Sequence, residues 1–140
     1  MSAFFRLEPE VAGELVDGTV LDAAASPPRV ESVHFEITEW LGDDLVTSFP
    51  VFLVSEELAT ELVEGGLDGF RVRQATVTVT DEAQELLEGR AVPTFRWLDV
   101  TGQAGVDDVG VTEQGELVVS EEVLELFQAG TLENCEVERY

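Results

Sequence analysis

Lysine is absent from this chain, and histidine, cysteine and methionine occur once each. Seven arginines therefore face thirty acidic residues, and the net charge is −23 over 140 residues. Such a field repels phosphate, which argues against nucleic acid or an anionic membrane as a partner. The single cysteine, Cys135, allows no internal disulfide and fits a reducing compartment. No apolar run approaches the ~20 residues of a membrane-spanning helix. Met1–Arg6 shows no basic region followed by an apolar stretch, so no secretory signal is read and a cytoplasmic location is expected. There is no glycine-rich phosphate loop, Gly-x-Ser-x-Gly, Cys-x-x-Cys or His-Glu-x-x-His pattern, so neither a cofactor nor a catalytic residue is expected.

Against these absences stands a repetition. Phe52-Leu53-Val54-Ser55-Glu56-Glu57-Leu58 reads like Leu117-Val118-Val119-Ser120-Glu121-Glu122-Val123, at an offset of 65 residues that runs ungapped to the end of the chain. Gly65 then matches Gly130, Leu67 matches Leu132, Val72 matches Val137, and Pro28 matches Pro93. Repeated units pair or stack around a shared core. The reading is one domain over residues 1–140, with a repeat at 28–73 and 93–139. Its class is α/β or α+β, a mixed sheet with short helices and a duplicated strand–helix–strand unit.

Local chemistry supports that unit. Ser55 and Ser120 are good N-caps, followed by Glu56-Glu57 and Glu121-Glu122 at the positive end of the helix dipole. Leu58, Ala59, Leu62 and Val63 form one apolar stripe, and Val123, Leu124 and Phe127 the other. Gly65-Gly66 and Gly130 stop the helices. Phe4–Glu8 and Thr19–Leu21 read as short strands, with a proline-bearing loop over Ala23–Pro28. Val33, Phe35 and Ile37 alternate with His34, Glu36 and Thr38, a strand with His34 on its exposed face. Phe70–Thr80 reads as one long strand with a bulge or break near Gln74. Asp81 with Gln84 resembles a capping box. Thr94–Val100, apolar on both faces, reads as the central strand of the second copy, and Thr101–Gly115 as loop. Cys135 and Val137 fall on the core phase. The core is expected at Val33, Phe35, Ile37, Leu58, Leu62, Val72, Trp97, Val123, Phe127 and Val137.

Two stretches carry acids without Lys or Arg: ten between Arg29 and Arg71, and eleven between Arg96 and Arg139. Within them Asp43-Asp44 and Asp107-Asp108 recur at nearly matching points. Adjacent carboxylates in loops are usually solvated or turn-forming, and no calcium-loop spacing surrounds them, so no metal is assigned. Together with Trp40, a candidate exposed contact beside Gly42, these four aspartates are the candidate partner-binding residues. His34 lacks the cleft and partner nucleophile of a general base.

The pattern apolar-apolar-Val-Ser-Glu, a short helix, then Gly-x-Leu-x-x-apolar-x-Val resembles bacterial immunity-type proteins of polymorphic toxin systems and their uncharacterised relatives. It runs from Leu53-Val54-Ser55-Glu56 to Val72, with Gly65 and Leu67, and from Val118-Val119-Ser120-Glu121 to Val137, with Gly130 and Leu132. The resemblance covers about half of the chain and none of the stretch before Pro27. It implies a small cytoplasmic α/β protein that binds a toxin without catalysis. The expected function is thus a non-catalytic acidic binding protein for a basic protein partner. Two alternatives are a small acidic domain with a housekeeping role in a salt-tolerant or high-GC organism, and a metal-dependent enzyme using the acidic loops.

Overall fold

A computed structural model describes residues 3–22, 24 and 29–140. In chain order the elements are β1 (Phe4–Glu8), β2 (Glu10–Val11), β3 (Gly13–Leu15), β4 (Val20–Asp22), β5 (Arg29–Ser32), β6 (His34–Ile37), β7 (Leu45–Ser48) and β8 (Val51–Ser55). There follow α1 (Glu56–Glu64), β9 (Phe70–Arg73), β10 (Thr76–Val79), α2 (Asp81–Leu87), β11 (Phe95–Val100), β12 (Val109–Val111), β13 (Leu117–Ser120), α3 (Glu121–Ala129) and β14 (Glu136–Arg139). Mixed sheets with three short helices make this a single α+β domain. The expected loop Ala23–Pro28 lies outside the described residues except for Ala24.

Three sheets and a ribbon organise the strands. The central sheet has the order β2-β7-β8-β11-β9, the second β12-β13-β1-β14, the third β10-β6-β3, and β4 pairs with β5 as a ribbon. All five residues of β8 are buried, because both faces of the central sheet are covered. Phe52, Val54 and Leu98 point into a core shared with α1, α3 and the second sheet, where Leu7, Leu117 and Phe127 meet them. Val51, Leu53 and Trp97 point the other way, onto Val33, Phe35 and Ile37 of the third-sheet side. The period of two in β8 thus feeds two cores at once.

The local signals work as read at the helix starts. Ser55 Oγ accepts from Leu58 N at 3.3 Å and Ser120 Oγ from Val123 N at 3.4 Å. Both strand–helix–strand segments form. Gly66, with φ of 67°, takes the left-handed position after α1 that a side chain would disfavour. Other expectations are corrected. Val63 is exposed, so the α1 stripe is Leu58, Ala59 and Leu62. Thr80, not Asp81, caps α2, its side chain accepting from Ala83 N at 3.1 Å. Phe70–Thr80 is two strands: β9 ends the central sheet, and the chain then crosses to the third, where β10 runs parallel to β6. Thr101–Gly115 contains β12. Val137 is exposed because β14 is the edge of the second sheet, and Val72 is half-buried for the same reason at the edge of the central one. His34 is half-buried rather than exposed, its Nδ1 2.8 Å from Asp17 O and its Nε2 3.1 Å from Thr78 Oγ1.

The largest correction concerns which strands belong together. β11, expected as the second copy's own strand, lies between β8 and β9, with Phe95 opposite Ser55 and Leu98 opposite Val72. The stretch before Pro27, expected to carry no part of the pattern, supplies the corresponding strand of the second sheet. There β1 lies between β13 and β14, with Phe4 opposite Ser120 and Leu7 opposite Val137. The registers match between β8–β9 and β13–β14 at the 65-residue offset, but β1 precedes β11 by 91 residues and lies outside that offset. β6 sits in the third sheet and is not the counterpart of β11. Because β1 is the middle strand of the second sheet, Leu7→Ala is expected to cost about 2–5 kcal/mol. Urea denaturation measures it, and a cost below about 1 kcal/mol would contradict this placement of β1.

Candidate functional site

Each of the four aspartates accepts from the chain's own backbone, Asp43 and Asp44 in one loop and Asp107 and Asp108 at other partners. Asp43 is fully buried. Its carboxylate accepts from Glu133 N at 3.0 Å, Asn134 N at 2.8 Å and Asn134 Nδ2 at 3.0 Å, which fixes the loop between α3 and β14. Asp44 forms a two-way clamp on the same loop: Thr131 N donates to Asp44 Oδ2 at 2.8 Å, and Asp44 N donates to Thr131 O at 2.9 Å. Asp108 makes the matching clamp on the loop after α1. Asp108 N donates to Asp68 Oδ1 at 2.8 Å, and Asp68 N donates to Asp108 Oδ2 at 3.1 Å. The carbonyls of Asp44 and Asp108 accept from the cap residues Ser55 and Ser120 at 2.8 and 2.7 Å. Asp107 Oδ2 accepts from Gln103 N at 2.7 Å within its own turn.

Trp40 is half-buried, with Nε1 donating to Asp43 O at 2.9 Å and its ring edge-on to Phe95 at 6.2 Å. Beneath this loop lies an acid that the sequence did not single out. Glu10 is buried and accepts from Leu41 N at 2.5 Å and Asp43 N at 3.4 Å. Burial pushes its carboxyl above the ordinary range, and the two backbone donors only partly offset that. Burial also pushes the Cys135 thiol up to about 12, with nearby Asp43 adding to the effect, so the thiol stays protonated at neutral pH. Among the described residues, no group of three or more His, Cys, Asp or Glu side chains is gathered as a metal requires.

One patch of exposed apolar side chains lies beside the aspartate loop. A groove of about 610 Å³ is lined by Val11, Leu41 and Phe49, exposed to 71%, 54% and 59%. Glu8, Glu39, Glu116 and Glu136 line the same groove. Trp40 was the sequence candidate for contact, but its neighbour Leu41 is the residue turned outward. Phe49 sits in the turn between β7 and β8, which contains a cis Phe49–Pro50 bond. The only sequence signal for it was a large aromatic residue before a proline. No helix among the described residues is long and apolar enough to cross a membrane. No protein-family model matches the chain, and no curated protein matches it.

Two tests follow. Asp43→Ala strands three donors and is expected to cost about 2–4 kcal/mol, whereas Asp107→Ala, losing one half-exposed bond, should cost about 1 kcal/mol or less. Equal urea midpoints for the two variants would overturn the assigned roles. Glu10 binds its proton more tightly in the folded state. Its stabilising contribution is therefore complete below the ordinary glutamate value and is lost as pH rises through the raised folded value. Thermal melts from pH 4 upward should show a steeper decline for the wild type than for Glu10→Gln, and parallel curves would contradict the shift.

Proposed function

We propose that this chain is a non-catalytic binding protein for a basic protein partner, as in the immunity-like reading. The observation that carries the proposal is the groove at Val11, Leu41 and Phe49. An apolar centre inside a charged rim has the anatomy of a protein interface. Here glutamates line the groove together with the apolar side chains, and the net charge of −23 would speed encounter with a cation-bearing surface. The aspartates singled out from the sequence contribute indirectly, since Asp43 and Glu10 hold the loop that presents Leu41. The solvent-facing glutamates of α1 and α3, among them Glu57, Glu61, Glu122 and Glu125, favour a second reading for the remaining charge: solubility in a salt-rich cytoplasm.

Capture from native lysate at low and high salt tests the proposal, using wild type, Leu41→Ser/Phe49→Ser and Glu39→Lys/Glu136→Lys. Wild type should retain a basic protein at low salt and release it at high salt. The first double variant should weaken binding by roughly tenfold or more, and the second should chiefly slow association. Retention of no basic protein, or retention unchanged by both variants, would refute it.

A further inference from the structure

Three of the seven arginines line a single cleft. Arg29, Arg71 and Arg73 border a cavity of about 570 Å³ between β5 of the ribbon and the β9–β11 side of the central sheet. Among the described residues, Glu31 and Asp99 are the acids in its walls, so a molecule with a net charge of −23 carries a locally cationic cleft there. Neither Arg71 nor Arg73 is neutralised singly. Both donate to one oxygen, Asp99 Oδ2, Arg71 through Nη2 at 3.0 Å and Arg73 through Nη1 at 3.2 Å. The Arg73 guanidinium also lies 4.4 Å from the centroid of the buried Trp97 ring, and its Nη2 reaches Glu31 O at 3.5 Å. These contacts hold two guanidinium groups side by side, and most of their ten N–H donors remain available. Their side chains are 66% and 40% exposed. Val30, Val100 and Val111 provide an apolar wall alongside.

We infer that this cleft binds a small organic anion, with a carboxylate or phosphate head on Arg71 and Arg73 and an apolar body against the valine wall. Paired guanidinium groups match the geometry of either oxyanion head, and the fixed side chains lose little freedom on binding. Asp99 has two effects: it orients the arginines and it competes with the ligand for their charge.

The test is titration of the intact protein in low-chloride buffer with phenyl phosphate, benzoate, inorganic phosphate and benzyl alcohol. Binding is followed by the Trp97 indole and arginine side-chain NMR signals. Phenyl phosphate and benzoate should give saturable shifts, inorganic phosphate should bind more weakly, and benzyl alcohol should cause none. The tighter of the two aromatic anions identifies the head group. Arg71→Gln, at an exposed position, should leave the melting temperature nearly unchanged and weaken binding at least about tenfold. Asp99→Asn should tighten it. Absence of saturable shifts with every anion, an equal response to benzyl alcohol, or unchanged affinity in Arg71→Gln would overturn the inference. An Asp99→Asn variant that stays folded and binds no more tightly would also count against it.

Discussion

The reciprocal clamps made by Asp44 and Asp108 are the contacts on which the arrangement of the two helical segments depends. Each joins the approach to one helix to the loop that follows the other. Asp44 precedes the β7–β8 pair leading to α1 and holds Thr131 after α3; Asp108 precedes the β12–β13 pair leading to α3 and holds Asp68 after α1. Their carbonyls bond the cap residues, so each clamp also fixes a helix start. The loops thus held deliver β9 and β14 to sheet edges, beside β11 and β1, which come from other parts of the chain. Charge-assisted bonds of this kind are worth about 1.5–3 kcal/mol each, and Asp43 adds a buried set beside one of them.

This use of acids separates two roles that composition runs together. Asp43, Asp44, Asp107 and Asp108 bond backbone, Glu10 supports the loop beside them, and Asp99 and Glu56 pair with arginines. Glu8, Glu39 and Glu136 at the groove and the outer-face glutamates Glu57, Glu61, Glu122 and Glu125 belong to the surface charge. Arginine is similarly divided. Arg6 bridges Glu116 and Glu138 across the second sheet, and Arg96 holds Glu56, while three others gather in one cleft. A chain with no lysine has no abundant, loosely placed cations, so each arginine's position carries weight.

The sequence was legible where the physics is local. Serine caps, glutamates in the first turn and the α3 stripe follow from side-chain chemistry within four residues. The phase of Val33, Phe35 and Ile37 follows from strand periodicity. It was not legible where pairing is long-range. Nothing in Phe4–Glu8 specifies β13 over β8 as a neighbour, and β12 is too short for alternation to show. Val137 and Val72 occupy core phases of strands that turned out to be edges, so phase alone overstated their burial. The Asp43-Asp44 and Asp107-Asp108 pairs stood out as a recurrence, but the partners of their carboxylates lie 40–91 residues away or, for Asp107, within its own turn. Leu41 and Phe49 were invisible, because nothing in sequence distinguishes an exposed apolar loop residue from a buried one.

Native-state amide hydrogen exchange tests whether these aspartates are bonded to backbone. Thr131, Glu133 and Asn134 lie in a loop without secondary structure, and their amides all point at Asp43 or Asp44 carboxylates. Their expected protection approaches that of the β8 and β13 amides. Exchange at the rate of an unstructured loop would contradict it and return these aspartates to the solvent-facing surface.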